Sequence, residues 1–306
     1  MNTAERPEYA DGIHPALRRE DFVIITAAID RLYTSLCRWM NAQRSGCIIY
    51  GRARIGKSNA IDALISLMNR EFQSVATLKH SMLTHQVETE KEFYRNILTS
   101  FNHARADYGN AGVKFDTIVD FITEEAFRDS CRRIILFIDE AQWISNKEYT
   151  YLRGMSNSIV LRHVAPMVML VGDNDLYKKY KDFKGNNPEI TGRFMNEAYQ
   201  FRGVLSEDEV RVALNCYDIT SDHGCIFTRY FFTTAFDHGW RLSSEANNLW
   251  TAFCLVNHNE VKEISMSDFV PAVQYVLRKF SNLSVMDPML ARDHWEEAFI
   301  SVGVGQ

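Results

Sequence analysis

Gly51-Arg52-Ala53-Arg54-Ile55-Gly56-Lys57-Ser58 fits the pattern G-x-x-x-x-G-K-[ST] at every fixed position, and it stands between an apolar run at 47–50 and a helical stretch. Each fixed residue has a physical task. Gly51 and Gly56 let the backbone bend so that successive N–H groups point inward at phosphate oxygens, and the helix that follows adds its positive N-terminal end. Lys57 supplies a cation for β- and γ-phosphates. Ser58 offers a hydroxyl to Mg²⁺, an ion that keeps several waters and takes few protein ligands. Residues 51–58 together with Asn59 are therefore the expected nucleotide cradle. The strand before and the helix after argue against a chance match in a Gly-containing turn.

Further along, Ile134-Ile135-Leu136-Phe137-Ile138-Asp139-Glu140 is an apolar run that ends in two acids. At the carboxyl end of a strand beside a phosphate loop, Asp139 is placed to hold the metal and Glu140 to polarise the attacking water. The plain alternative is a solvated strand end, which the preceding loop disfavours. The next run, 167–171, leads into Gly172-Asp173-Asn174. Either Asp173 or Asn174 could orient the lytic water, although the charge on Asp173 would repel a γ-phosphate. Equally, the turn could use both residues for their tolerance of left-handed backbone. The expected cofactors are ATP and Mg²⁺.

Short apolar runs at 47–50, 75–78, 134–138 and 167–171, with a weaker one at 198–201, alternate with longer amphipathic segments. That alternation predicts an α/β fold with a mainly parallel sheet flanked by helices. Phe22, Ile25, Ala28, Ile29, Leu32, Leu36 and Trp39 recur at helical spacing and predict a helix from Asp21 that stops before Ser45-Gly46. After Val204 runs of strand type cease. Ser206-Glu207-Asp208-Glu209 reads as a capping box, and helical stretches at 228–236, 242–256 and 267–280 predict a small all-helical domain. The expected division is an extended arm at 1–20, a nucleotide-binding α/β domain at 21–204, a helical lid at 205–281, and a tail at 282–306 with one short amphipathic piece at 295–300.

The composition of the 306 residues, 46% hydrophobic and 24% charged, permits a full core. A net charge of −5 excludes a polybasic coat for nucleic acid but leaves room for a local basic strip. Six scattered cysteines without a C-x-x-C pair point to reduced thiols in a cytoplasm rather than a disulfide framework or a zinc site. No apolar run approaches the roughly 18–20 residues needed to span a bilayer, so no membrane partner is expected.

The order of phosphate loop, strand ending Asp-Glu, polar strand end, Arg193-Phe194, and helical segment with Gly239-Trp240-Arg241-Leu242 resembles the AAA+ class. The resemblance implies that Arg193 reaches the γ-phosphate held by a neighbouring subunit and that Arg241 reads nucleotide from the lid. Arginine suits both tasks, because it is always charged and forks onto phosphate oxygens. Taken singly, each would be a surface salt-bridge residue.

Within AAA+, Leu-Phe-Ile-Asp-Glu-Ala at 136–141, Val171-Gly172-Asp173 followed by Asp175-Leu176, and Arg193-Phe194 shortly before Phe201 resemble the TnsC/TniB/MuB group of transposition regulators, over about residues 47–256. The chain departs from that group in having Asp173 where it carries Thr or Asn. The resemblance implies an ATP-dependent homo-oligomer, ring or filament, on double-stranded DNA, with a transposase and a target-selection protein as partners. In that group DNA contacts come from the segment after the second strand and the one before the Asp-Glu strand. Here these hold Lys79, Lys91, Arg95, Lys114 and Thr117, with Glu88, Glu90 and Glu92 among them, so a solvated charged face is the alternative for each. Two other readings stay open: an AAA+ ATPase that remodels proteins or signals without DNA, and a P-loop kinase, which would need an acceptor pocket and no trans arginine.

Overall fold

Parallel strands buried on both faces read as continuous apolar runs, and the five runs form one parallel sheet. In the computed structural model they are β1 (Gly46–Tyr50), β2 (Ala76–Ser81), β3 (Arg133–Asp139), β4 (Ala165–Gly172) and β5 (Ala198–Gln200). They pair in the order β2-β3-β4-β1-β5. The structure describes residues 24–72, 75–82, 89–128, 132–220, 224–258, 263–281, 288 and 290–305. The arm expected at 1–20 and residues 282–287, 289 and 306 of the expected tail lie outside the described residues, and the rest of that tail carries a helix whose Trp295, Ala298 and Phe299 join a buried core.

Contacts divide the chain into two compact units, one of Leu32–Ala53 and Lys57–Phe201, the other of Met1–Arg31, Arg54–Gly56 and Arg202–Gln306. In the first unit, alternation along the strands sorts side chains to two faces. Ile134, Leu136 and Ile138 of β3 and Val168 and Leu170 of β4 join a core with residues of α3 (Glu90–Ser100), α4 (Ala111–Arg128) and α5 (Asn146–Leu161). Ile135, Phe137 and Met169, on the opposite face, are just as buried. Each such side chain contributes about 1.5–3 kcal/mol by leaving water. Helix α1 (Ala27–Asn41) buries Leu32, Leu36 and Trp39, and the Trp39 indole N–H donates to Glu197 at 2.8 Å beside β5. Helix α2 (Lys57–Glu71) follows the phosphate loop and buries Ile61, Leu64 and Met68.

Strand β2 runs three residues beyond the apolar stretch. As an edge strand it tolerates polar side chains, and Lys79, His80 and Ser81 continue the ladder opposite Phe137, Ile138 and Asp139. After β4 come α6 (Asn174–Asn186) and α7 (Pro188–Phe194).

The second unit is helical: α8 (Glu207–Asp218), α9 (Phe227–Phe231), α10 (Thr233–Asp237), α11 (Ala246–Val256), α12 (Met266–Lys279) and α13 (Arg292–Ser301). Its core includes Leu214, Tyr217, Phe227, Phe269 and Trp295. The Ser206 hydroxyl accepts from the Glu209 N–H at 3.3 Å, but the Glu209 carboxylate takes the Leu205 N–H at 2.9 Å rather than that of the cap residue. The expected helix at 228–236 breaks at Phe232, whose backbone turns to φ −130° and ψ 58°. The stretch at 242–256 starts as a 3₁₀ turn, Leu242–Glu245, because the buried Asp218 carboxylate gathers the N–H groups of Leu242 and Ser243, each at 2.9 Å. Among the described residues no helix is long and apolar enough to cross a membrane.

Candidate functional site

The strand order brings three chain segments to one edge of the sheet. The phosphate loop leaves the carboxyl end of β1, Asp173 follows the end of β4, and Asp139 closes β3; β4 lies between the other two. Carboxyl ends of parallel strands are where α/β sheets hold ligands. The loop passes through positive φ at Arg54 (62°) and Gly56 (105°). Lys57 opens α2, and its ammonium donates to the carbonyls of Gly51 at 3.1 Å and Arg52 at 2.7 Å. Arg52, Ala53, Arg54, Ser58 and Asn59 are exposed, while Gly51 and Ile55 are buried. Burial lowers the Lys57 pKa, and Glu140, Asp139 and Asp173, in that order, oppose the shift. Three acids thus act electrostatically on a partly desolvated cation.

Asp139 is 4% exposed, and its Oδ1 accepts the Glu140 N–H at 2.9 Å. The second oxygen has no protein donor among the described residues. Glu140 sits in left-handed backbone, φ 55° and ψ 32°, at the entry to a 3₁₀ turn, Ala141–Trp143. Its Oε2 accepts from the Gln142 amide at 2.6 Å. Asp173 caps α6, its carboxylate accepting the Asp175 N–H at 2.8 Å, and Asn174 is the exposed first residue of that helix. The hard oxygens of Ser58 and of the half-paired Asp139 are the donor type Mg²⁺ takes.

Residues 40–179 match the AAA domain family, a module of nucleotide-hydrolysing ATPases. The structure of the Aeropyrum pernix ORC2 protein in ADPNP and ADP complexes resembles this chain with a TM-score of 0.64 at 11% identity, over 95% of this chain and 72% of that one. The Aeropyrum pernix ORC1 protein in complex with DNA gives 0.54 at 11% identity, over 94% and 68%. The fold is AAA+. No curated protein sequence matches the chain.

The two arginines singled out by resemblance to AAA+ proteins differ in their surroundings. Arg193, half-buried near the end of α7, donates from Nη1 to the Ser156 hydroxyl at 3.2 Å. Its carbonyl accepts from the Ser45 hydroxyl at 2.8 Å, immediately before β1. In the helical unit, Arg241 donates from Nη1 to the carbonyls of Phe236 and Trp240, both at 2.8 Å, and its guanidinium lies 3.6 Å from the Phe236 ring centroid.

The residues considered for DNA do not form one free basic strip in this AAA+ domain. Lys91, on α3, is exposed. Lys79 pairs with Asp62 at 2.6 Å, and Arg95 with Asp107 at 2.6 Å and Glu92 at 3.0 Å. The Thr117 hydroxyl donates to the Val113 carbonyl at 2.7 Å. Lys114 is corrected: it is fully buried, and its ammonium is held by the carbonyls of Ala106 and Tyr108, so it offers no charge to a surface ligand. Its place on the buried face of α4, four residues before the buried Ile118, is the signal that sets it apart. Gln142 and Lys179 were not singled out from sequence. The Lys179 ammonium donates to the carbonyls of Gln142 at 2.5 Å and Ile144 at 2.7 Å, pinning the turn after Glu140.

Proposed function

We propose that the chain is a cytoplasmic, ATP-hydrolysing AAA+ regulator of DNA transposition that assembles as a ring or filament on duplex target DNA and recruits or activates a transposase, together with a target-selection protein. One observation carries the ATPase part: the strand order gathers the phosphate loop with Lys57, Asp139 at the end of β3 and Asp173 after β4 at the carboxyl edge of the sheet. In this reading the backbone of 51–59 cradles the triphosphate, and Lys57 exchanges its two carbonyl partners for β- and γ-phosphate oxygens. Ser58 and Asp139 would hold Mg²⁺, which neutralises charge on the transferring phosphoryl group. Glu140 accepts the proton of the attacking water as its oxygen bonds to phosphorus and ADP departs. The Asp173-Asn174 corner orients that water. Arg193 of one copy stabilises charge on the γ-phosphate of its neighbour. Arg241 serves as lid sensor by trading two carbonyl bonds and the Phe236 ring for phosphate.

The transposition part rests on motif resemblance, and its DNA part is supported by the likeness to a fold solved on DNA. Lys91, Lys79, Arg95 and Thr117 are the proposed phosphate contacts, repeated along the duplex by each copy. The ion pairs at Lys79 and Arg95 favour a second reading, an AAA+ remodelling ATPase that does not touch DNA.

Anisotropy of a labelled duplex, titrated with ATP and Mg²⁺ at several salt concentrations, separates the two. Binding that weakens linearly in log salt, with rings or filaments in electron micrographs, is expected. Absence of binding at low salt with monomeric particles removes DNA from the reading. Lys57→Ala should lose nucleotide binding or turnover, whereas Glu140→Gln should retain ATP, hydrolyse it slowly and accumulate the assembled state.

A further inference from the structure

Gln142 is 8% exposed, and both ends of its side-chain amide are engaged. The nitrogen donates to Glu140 Oε2 at 2.6 Å, and Oε1 accepts the backbone N–H of Asp173 at 3.2 Å. The two partners fix which way the amide faces: a carboxylate can only accept, and a peptide N–H can only donate. A flipped amide would set oxygen against oxygen and N–H against N–H. The turn that carries Gln142 is itself held, since the Lys179 ammonium, from α6, binds the Gln142 and Ile144 carbonyls.

The end of β4 is shaped to receive this side chain. A Cβ at Gly172 would lie 2.5 Å from Gln142 Oε1, with Leu176 atoms at 3.1 Å. Only a residue without a side chain lets the amide reach the Asp173 N–H. Gly172 has ordinary φ, so close approach and not backbone freedom explains the glycine.

We propose that Gln142 is a positioning residue for ATP hydrolysis: its amide ties the Glu140 carboxylate to the start of the Asp173-Asn174 corner, so that the general base and the water-orienting corner are set as one unit. This rests on the reading of Glu140 as the base. Holding Oε2 from one side leaves Oε1 to take a proton from water, and fixes a carboxylate whose backbone already sits in left-handed conformation. Orientation of this kind lies in the barrier to reaction rather than in substrate affinity. Glu140 directly follows β3 and Asp173 directly follows β4, and the amide is a side-chain link between them, beside the β3–β4 ladder and the Lys179 bonds from α6.

The test compares Gln142→Ala, Gln142→Glu and Gly172→Ala with Glu140→Gln in the full chain, reading kcat and KM for ATP, nucleotide affinity, and hydrogen exchange at the Asp173 amide. Gln142→Ala should lower kcat about tenfold or more, change KM and nucleotide affinity little, and speed exchange at Asp173. Gln142→Glu, which has the same shape and keeps an acceptor for Asp173 but cannot donate to Glu140, should keep that amide protected and still lose kcat. Gly172→Ala should reproduce Gln142→Ala by pushing the amide aside, and it stands in if Gln142→Ala does not fold. Wild-type or raised kcat in the Gln142 variants, a loss confined to KM, or unchanged exchange at Asp173 in Gln142→Ala overturns the proposal. If Glu140→Gln turns over normally, the base assignment fails; if Glu140→Gln is slow while the Gln142 variants are normal, the positioning role alone fails.

Discussion

Asp139 in the α/β unit and Asp218 in the helical unit are both buried aspartates, at 4% and 7% exposure, and they are held in opposite ways. Both oxygens of Asp218 are engaged, by the N–H groups of Leu242 and Ser243 and by the Thr228 hydroxyl at 2.6 Å. Asp139 takes one N–H, from its own neighbour Glu140, and faces the Lys57 cation. Burying a carboxylate costs free energy unless hydrogen bonds replace those of water. At Asp218 the replacement is complete and the group acts as a structural peg. At Asp139 it is partial, and the remaining oxygen is available to a ligand. The arginines repeat the contrast: Arg241 is bound by two carbonyls and a ring, Arg193 by one hydroxyl.

The widest gap between the two regions should appear at Arg193. Arg193→Ala is expected to lower turnover roughly 10³-fold, the scale of an arginine finger, while monomer unfolding shifts little; a fall in stability without a fall in turnover would make it a structural residue. Next comes the aspartate pair. Asp139→Asn should cut turnover about 10²-fold or more with thermal unfolding nearly unchanged. Asp218→Ala should do the reverse, costing about 2–3 kcal/mol of stability because several buried donors lose their acceptor, with turnover per folded molecule intact. Equal effects on both readouts at both sites would erase the distinction. The smallest effect is at the lysines: Lys91→Ala should reduce the salt slope of DNA binding by about one, and Lys114→Met should leave that slope alone while shifting only the unfolding midpoint.

The strands and the nucleotide loop were legible because their signals are local. A buried parallel strand is a run of apolar residues, and 47–50, 134–138 and 167–171 fall inside β1, β3 and β4. The edge strand was harder to bound, since Lys79, His80 and Ser81 carry no apolar signal and are held by the ladder to β3. The break at Phe232 is equally hidden, because three aromatic residues in five fit a helix face as well as a turn. Charges were legible as types and not as partners. Nothing in the order of residues says that Arg95 meets Asp107 or that the Lys114 ammonium is enclosed by backbone carbonyls. Gln142 escaped for the same reason: a single glutamine two residues past an acid means nothing until β4 is laid beside β3.

The seat of Arg193 has a mechanical consequence. Its carbonyl is gripped by the Ser45 hydroxyl, and a Cβ at Gly46 would come within 2.8 Å of that same carbonyl and 2.7 Å of the Phe194 Cα. Five residues on, the same strand delivers the phosphate loop. β1 is thus a strut about 16 Å long, with one foot against the helix end that carries Arg193 and the other at the chain's own nucleotide loop. A single added methyl at position 46 would press on the Arg193 carbonyl, the Phe194 Cα and the Val168 carbonyl at once, and so disturb the end of β1 opposite the nucleotide loop.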